Sequence, residues 1–150
     1  MRHGFVVLLV LALLVPAGVA AAADDVGRVK VVKGSVTIQR SGGSLPATVG
    51  MKLLEGDVIA TGRDGSAGVT FNDDSLLSVG PDSVLAIDRF AFDSTTHAGR
   101  FDTSLRQGTL SAVSGKIAKQ SPDAMKVRTP STILGVRGTE FVVRAAPVTP

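Results

Sequence analysis

The stretch LEGDVIATGRDGSAGVTFNDDSLLSVGPDSVLAIDRF, residues 54–90, decides the fold class of this chain. Short apolar runs alternate in it with turn-forming Gly, Pro, Asp and Asn residues. Phe71, Val79 and Ile87 lie eight residues apart, a spacing typical of short strands joined by tight turns. No segment of helical length with a period near 3.6 residues fits in the stretch. The sequence therefore predicts an all-β domain.

The short connections limit the topology. They hold about two to five residues, whereas parallel neighbours in one sheet need a crossover of roughly a dozen or more. Successive strands are therefore predicted to form antiparallel hairpins or to turn corners between sheets. A β-sandwich and a β-solenoid-like arrangement both meet this condition, and the sequence leaves the two open.

The segments after residue 90 show a weaker pattern. Residues 101–106 and 109–113 are predicted to be two separate strands around Gly108. Residues 115–124, which contain Ser-Pro-Asp, are predicted to be a loop.

The first residues have the parts of a secretory signal peptide. A basic Arg2 precedes an apolar run over 5–15, and Ala21-Ala22-Ala23 ends the segment. We therefore predict a signal peptide over 1–23, one β domain over 24–144 and a flexible tail over 145–150. After cleavage the chain is expected in the periplasm or outside the cell, with no stable membrane anchor. The chain has no cysteine, so no disulfide can support the domain.

Charge and aromatic content argue against nucleic-acid binding. The chain carries 16 Lys and Arg against 13 Asp and Glu, and no run of basic residues occurs. It has no Trp or Tyr on which bases could stack. The same absence argues against a sugar platform, so a protein partner is favoured over a glycan.

Two separated motifs resemble the FecR domain family. GDVIATGRDGSAGVTFNDDSLLSVGPDSVLAI at 56–87 resembles the family's Gly-Asp-x-Ile-x-Thr-Gly core, and VRTPSTILGVRGTEFVV at 127–143 resembles its closing motif. The resemblance covers nearly all of 26–144. It implies an extracytoplasmic, all-β, non-catalytic domain. The best-known members carry signals from outer-membrane iron–siderophore receptors to a sigma factor.

The chain departs from the signalling members of that family in two ways. Those members resemble a longer plan, with a cytoplasmic anti-sigma segment, a transmembrane helix and further C-terminal sequence. Here a signal peptide is predicted instead and the sequence ends at Pro150, so the anti-sigma role is not carried over. Asp74 also stands where the family often has glycine. Aspartate tolerates the left-handed conformation better than most residues, so the turn is expected to form.

No catalytic constellation is evident, and we predict neither an enzyme nor a cofactor. His97 is the single histidine after residue 23, and it lies in a Ser/Thr-rich segment typical of a loop. There is no Gly-x-Ser-x-Gly, no cysteine nucleophile and no P-loop. Glu55 and Asp57 flank a turn glycine without a partner base.

Acidic residues in the turns are weak candidates for a calcium site. Asp64, Asp73 and Asp74 could supply oxygen ligands from neighbouring turns. The alternative, which we favour, is that Asp and Asn occur there because their side chains bond the turn backbone. No metal is therefore predicted.

Five residues of the two motifs are candidates for an interaction site or a structural motif: Asp57, Thr61, Arg137, Gly138 and Thr139. In the functional interpretation, Arg137 binds a carboxylate of a partner. In the structural one, which the sequence favours, Arg137 bridges Asp57 or Asp82 within the domain and Gly138 adopts a conformation closed to other residues.

Together these observations predict an exported FecR-like module that binds another protein of the bacterial cell envelope. A structural or accessory subunit of an envelope assembly, using unpaired strand edges, is the alternative, with cell-wall glycan binding as a further one. The sequence indicates neither the partner nor the oligomeric state.

Overall fold

The computed structural model describes Gly18, residues 24–138 and residues 140–147. The predicted signal peptide, apart from Gly18, and the last three residues of the predicted tail lie outside the described residues. So does Thr139.

Twelve short strands make up most of the described chain. In chain order they are β1 (Asp25–Lys33), β2 (Val36–Arg40), β3 (Gly43–Pro46), β4 (Lys52–Leu54), β5 (Val58–Thr61), β6 (Ser66–Phe71), β7 (Leu76–Val79), β8 (Val84–Phe92), β9 (Gly99–Val113), β10 (Met125–Arg128), β11 (Ile133–Gly135) and β12 (Glu140–Ala145). A short helix, α1 (Lys116–Gln120), and one 3-10 turn (Pro122–Ala124) lie between β9 and β10.

Pairs of strands join end to end, so the sheet consists of long strands that bend in the middle. β1 and β2 lie beside β6 and β5, and these lie beside β7 and β8. β7 and β8 both pair with β9, one along each of its halves. In the sheet order β3-β2-β5-β8-β9-β7-β6-β1-β4, β9 therefore occurs once at the centre, and the two halves of the other bent strands occur on either side of it. The all-β, single-domain prediction is confirmed, and its architecture is one curled sheet, a half-barrel.

The bends lie side by side in a row that we call the corner, formed by residues 34–35, 61–65, 80–83 and 107–109. Strands that pass from one face of a core to the other through bends or bulges make such corners. Of the two predicted alternatives, β6 and β7 form an antiparallel hairpin, while the turns after β5 and after β7 fall at the bends of one sheet and not between two sheets.

The curled sheet encloses its core on the concave side. Three rings from different strands meet there: Phe71 lies 4.5 Å from Phe101 and 5.6 Å from Phe90 between ring centroids. Phe101 and Phe90 are 5.0 Å apart in an edge-to-face arrangement, a favoured geometry for aromatic pairs. The eight-residue spacing noted in the sequence corresponds to core positions, because Phe71, Val79 and Ile87 are all buried.

The prediction of two strands around Gly108 is wrong, because β9 runs unbroken from Gly99 to Val113. Gly108 has a φ of +95°, which lets the strand bend without ending. A Cβ at this position would lie 2.5 Å from the Cα of Ser83. Glycine is therefore needed here for two reasons: it can adopt the positive φ, and it leaves room for the neighbouring strand to approach closely.

The predicted loop at 115–124 is also wrong in part, because it contains α1 and the 3-10 turn. This crossover brings β10 parallel to β9, as parallel pairing requires. With five residues, α1 is far too short to cross a bilayer, and no other helix among the described residues is long and apolar enough to do so. Ala145, assigned to the tail, instead ends β12 and is buried.

We predict that Gly108→Ala destabilises the domain more than Gly50→Ala. Both glycines have positive φ, but a Cβ at Gly50 would meet nothing within 4 Å. Gly50→Ala should cost about 1 kcal/mol of unfolding free energy for the backbone angle alone. Gly108→Ala should cost roughly 1–3 kcal/mol more, because Ser83 must move. Urea unfolding measures both, and equal losses would contradict the close packing at the corner.

Candidate functional site

Thr61 lies at the corner and joins two bent strands through its hydroxyl. Its Oγ1 donates to the carbonyl of Gly80 at 2.6 Å and accepts from the amide of Ser83 at 3.0 Å. Ser83 continues the row, because its Oγ accepts from the amide of Thr109 at 2.9 Å. Thr61 is therefore a structural residue of the corner.

Asp57 is a buried carboxylate held by a partly exposed arginine. Its side chain is 1% exposed and receives Nε and Nη2 of Arg40 at 2.8 and 2.7 Å. The amide of Leu54 donates to the same carboxylate at 2.8 Å, and Arg40 also donates to the carbonyl of Lys52 at 3.0 Å. The hydrogen bond with Asp57 raises the pKa of Arg40 above its usual value. This pair ties β2 to the β4–β5 turn and leaves Asp57 engaged on both oxygens.

Glu55 and His97, the other groups considered for chemistry, each contact a residue of β8. Glu55 accepts a hydrogen bond from the amide of Phe90 at 3.0 Å. His97 sits in the loop between β8 and β9, where its ring stacks on Phe92 with 6.1 Å between centroids.

Asp73 anchors the crossover that follows β9. It is fully buried, and its carboxylate accepts from the amide and the hydroxyl of Ser75 at 3.1 and 2.8 Å. Its backbone carbonyl accepts from the amide of Lys116 at 2.7 Å, while the Ser75 hydroxyl accepts from the amide of Gly115 at 2.9 Å. The β6–β7 turn thereby fixes the entry to α1.

Asp74 occupies the left-handed conformation that the sequence predicted for it, with a φ of +67°. Its exposed carboxylate pairs with Nζ of Lys116 at 2.8 Å. That hydrogen bond and the charge of Lys116 lower the pKa of Asp74. The pair therefore contributes at neutral pH and is lost as the pH falls through this lowered pKa.

The calcium candidates do not converge on one point. Asp64 precedes β6, while Asp73 and Asp74 follow it. A six-residue strand separates its ends by about 17 Å, several times the distance at which one ion could bind both. No group of three or more potential ligands (His, Cys, Asp or Glu) is gathered within the described ranges. The candidates are far apart because the β5–β6 turn and the β6–β7 turn lie at opposite ends of β6.

Arg137 and Gly138 lie in the loop between β11 and β12. Gly138 has a φ of +103°, and its carbonyl accepts from the hydroxyl of Ser114 at 2.6 Å. Arg137 is exposed at the rim of an apolar groove of about 190 Å³. The groove is lined by Leu134, Gly135, Val136, Arg137, Phe141, Val142 and Val143. Thr139, the third residue of the motif, is among those that the structure leaves undescribed.

The carboxylates predicted to pair with Arg137 in its structural role are wrong. Asp57 is bound by Arg40 instead, and no ion pair joins Arg137 to Asp82. Within 24–138 and 140–147, the Arg137 guanidinium has no hydrogen bond or ion pair. Among the described residues, Arg137 is therefore an exposed, unengaged arginine beside apolar side chains.

Sequence reasoning missed Arg40, the partner of Asp57, because Gly42-Gly43 close behind it is typical of a loop tip. In the structure it ends β2, and β3 begins already at Gly43 to form a hairpin with it. The alternation of Val36, Ile38 and Arg40 along one strand was the available signal, since residues two apart share a face.

A family model described as "FecR protein" matches residues 57–149, more than half of the chain. The match begins at Asp57 and includes both β5–β8 and the closing loop with Arg137. No curated protein and no solved structure matches the chain.

We predict that Arg40→Ala destabilises the domain by about 3 kcal/mol, because it leaves the buried Asp57 carboxylate without its counter-charge. Arg63→Ala is the matched control, since Arg63 is exposed in the β5–β6 turn and its loss should cost less than about 0.5 kcal/mol. Chemical denaturation of both variants tests this. If Arg40→Ala is as stable as the control, the pair does not hold β2 to the β4–β5 turn.

Proposed function

The chain belongs to the FecR family, a family of regulatory and signalling domains, and we propose that it is an exported, non-catalytic module that binds a protein partner in the bacterial cell envelope. The observation that carries this proposal is the exposed Arg137 beside the apolar groove, inside the region that matches the family.

The groove has the chemistry of a protein-recognition surface. Leu134 and Val142 are 37% and 64% exposed, and Phe141 lines the groove with them. Arginine and aromatic residues are enriched at the centres of protein interfaces. The planar guanidinium of Arg137 can bind a carboxylate of the partner with two parallel hydrogen bonds.

Binding is favoured over catalysis by the way the carboxylates are used. Asp57 and Asp73 are buried and accept hydrogen bonds from their own fold. A general acid or base must reach a substrate proton within hydrogen-bond distance. Both groups are already engaged in holding turns, which supports a module whose chemistry is recognition.

Export is proposed on the sequence of the first 23 residues. The apolar run over 5–15 is flanked by Arg2 and by three alanines before Asp24, as in secretory signals. Cleavage would release the domain into the periplasm or beyond the cell.

A structural or accessory role is the second candidate, and the free strand edges favour it. β12 pairs with β9 only, and β11 with β10 only, among the described strands. All three residues of β11 are exposed. An edge of this kind can accept a strand of another chain.

Affinity capture tests the proposal. The full chain, tagged at its C-terminus and processed by the cell, would be crosslinked in envelope extract and its partners identified by mass spectrometry. N-terminal mass analysis of the same sample tests cleavage before Asp24. Truncating an interface arginine of this kind costs about 2 kcal/mol, so Arg137→Ala should weaken binding roughly 30-fold.

Arg63→Ala, exposed on a different turn, is the matched control and should leave capture unchanged. Equal loss in both variants would show that general charge, and not Arg137, drives the association. If no envelope protein is enriched over a mock bait, the partner proposal fails and the accessory role through β11 and β12 is favoured.

A further inference from the structure

The outer face of β8, β9 and β10 gathers basic side chains that are scattered in the sequence. They are Arg89, Arg100, Arg106, Lys126 and Arg128. The registers place them together, since Asp102 of β9 lies opposite both Arg89 and Lys126, and Ser104 lies opposite Arg128. Alternation separates this face from the core, because Phe101, Thr103 and Leu105 are buried on the other side.

Two adjoining hollows follow this face. The larger, about 420 Å³, is lined by Asp88, Arg89, Arg100, Asp102, Ser104 and Arg128. A second hollow of about 240 Å³ shares Ser104 and Arg128 with it and adds Arg106. We call the two together the basic trough.

Both carboxylates of the trough are engaged within the protein. Asp102 accepts from Nε of Arg100 at 2.7 Å, and Asp88 accepts a short hydrogen bond from the hydroxyl of Ser104. Arg89 and Arg128 have no hydrogen bond or ion pair to any described residue. Four arginines therefore line the trough against two carboxylates, and Arg89 and Arg128 are free to bind an anion.

Asp102 also positions Arg100. Asp102 is 6% exposed, and its Oδ1 is buried without a hydrogen-bond partner. Buried acceptors without partners are rare and call for an explanation. Here the carboxylate holds the guanidinium through Nε alone, so the two Nη groups of Arg100 stay free to donate to an anion.

We propose that the basic trough binds an extended, acidic peptide segment of another protein. Side chains on one face of a strand repeat about every 7 Å, so the outward positions from Arg100 to Arg106 span about 20 Å. An extended peptide with acids at alternate positions has the same repeat, whereas a compact anion reaches only part of the trough. The guanidinium groups match carboxylates geometrically, and the chain has no Trp or Tyr for stacking nucleic-acid bases.

This surface is distinct from the Arg137 groove, because the two share no lining residue. The inference therefore does not depend on export or on the partner proposed above.

Binding of a synthetic peptide, acetyl-Glu-Ser-Glu-Ser-Glu-Ser-Glu-amide, tests the inference, with Gln in place of Glu as the neutral control. The processed full chain should bind the acidic peptide and not the neutral one, more weakly at high salt. Arg89→Ala with Arg128→Ala should raise Kd at least tenfold. The matched double variant, Arg63→Ala with Arg144→Ala, removes the same charge from exposed positions elsewhere and should change Kd less than twofold.

The Asp102→Asn variant distinguishes the positioning of Arg100 by Asp102 from the effect of Asp102 on the net charge of the trough. It removes a negative charge, so simple attraction predicts tighter binding of the acidic peptide. If Asp102 positions Arg100, the substitution frees the Arg100 guanidinium and should weaken peptide binding several-fold. A thermal unfolding measurement checks that the variant folds. If the trough double variant unfolds, the single changes Arg89→Gln and Arg128→Gln replace it.

Absence of binding by the wild-type chain would overturn the inference, as would equal losses in the trough and control double variants. Tighter binding of Asp102→Asn would overturn the positioning role. Tripolyphosphate or an oligonucleotide that binds more tightly than the peptide would assign the trough to phosphate and not to an acidic peptide.

Discussion

The hydrogen-bonded row at the corner is the constraint on which the rest of the fold depends. Every long strand must bend there, and bending interrupts the ladder that would satisfy its backbone groups. The Thr61 and Ser83 hydroxyls replace the missing ladder partners, bonding the carbonyl of Gly80 and the amide of Thr109. Because the bends are thereby aligned, the two halves of each strand can face one core.

Buried or partly buried polar residues serve the same purpose in other places. Arg40 and Asp57 close the β4–β5 turn, and Asp73 docks the crossover that lets β10 lie parallel to β9. A chain without disulfides must secure its turns by such ties. The Arg137 groove, the basic trough and the outer strand edges take no part in these ties.

The sequence predicts the local features well, because turn residues and the eight-residue spacing are properties of neighbouring positions. The all-β class, the left-handed Asp74 and the buried Phe71, Val79 and Ile87 follow from them. Pairing partners are set by register, which sequence spacing does not contain. For this reason Arg137 was assigned to the wrong carboxylates, and the basic residues of β8, β9 and β10 were not recognised as one surface.

β9 has neighbours on both edges along most of its length: β8 and β10 along the first part, β7 and β12 along the second. Its amides therefore exchange with solvent only when a flanking ladder opens, whereas β3, β4 and β11 can fray from the rim one at a time. The order of protection against hydrogen exchange should accordingly fall from the centre outward. We therefore expect β9, which carries Arg100 and Asp102, to be the best protected of the described strands, and β11, which precedes the loop that carries Arg137, to be among the least protected.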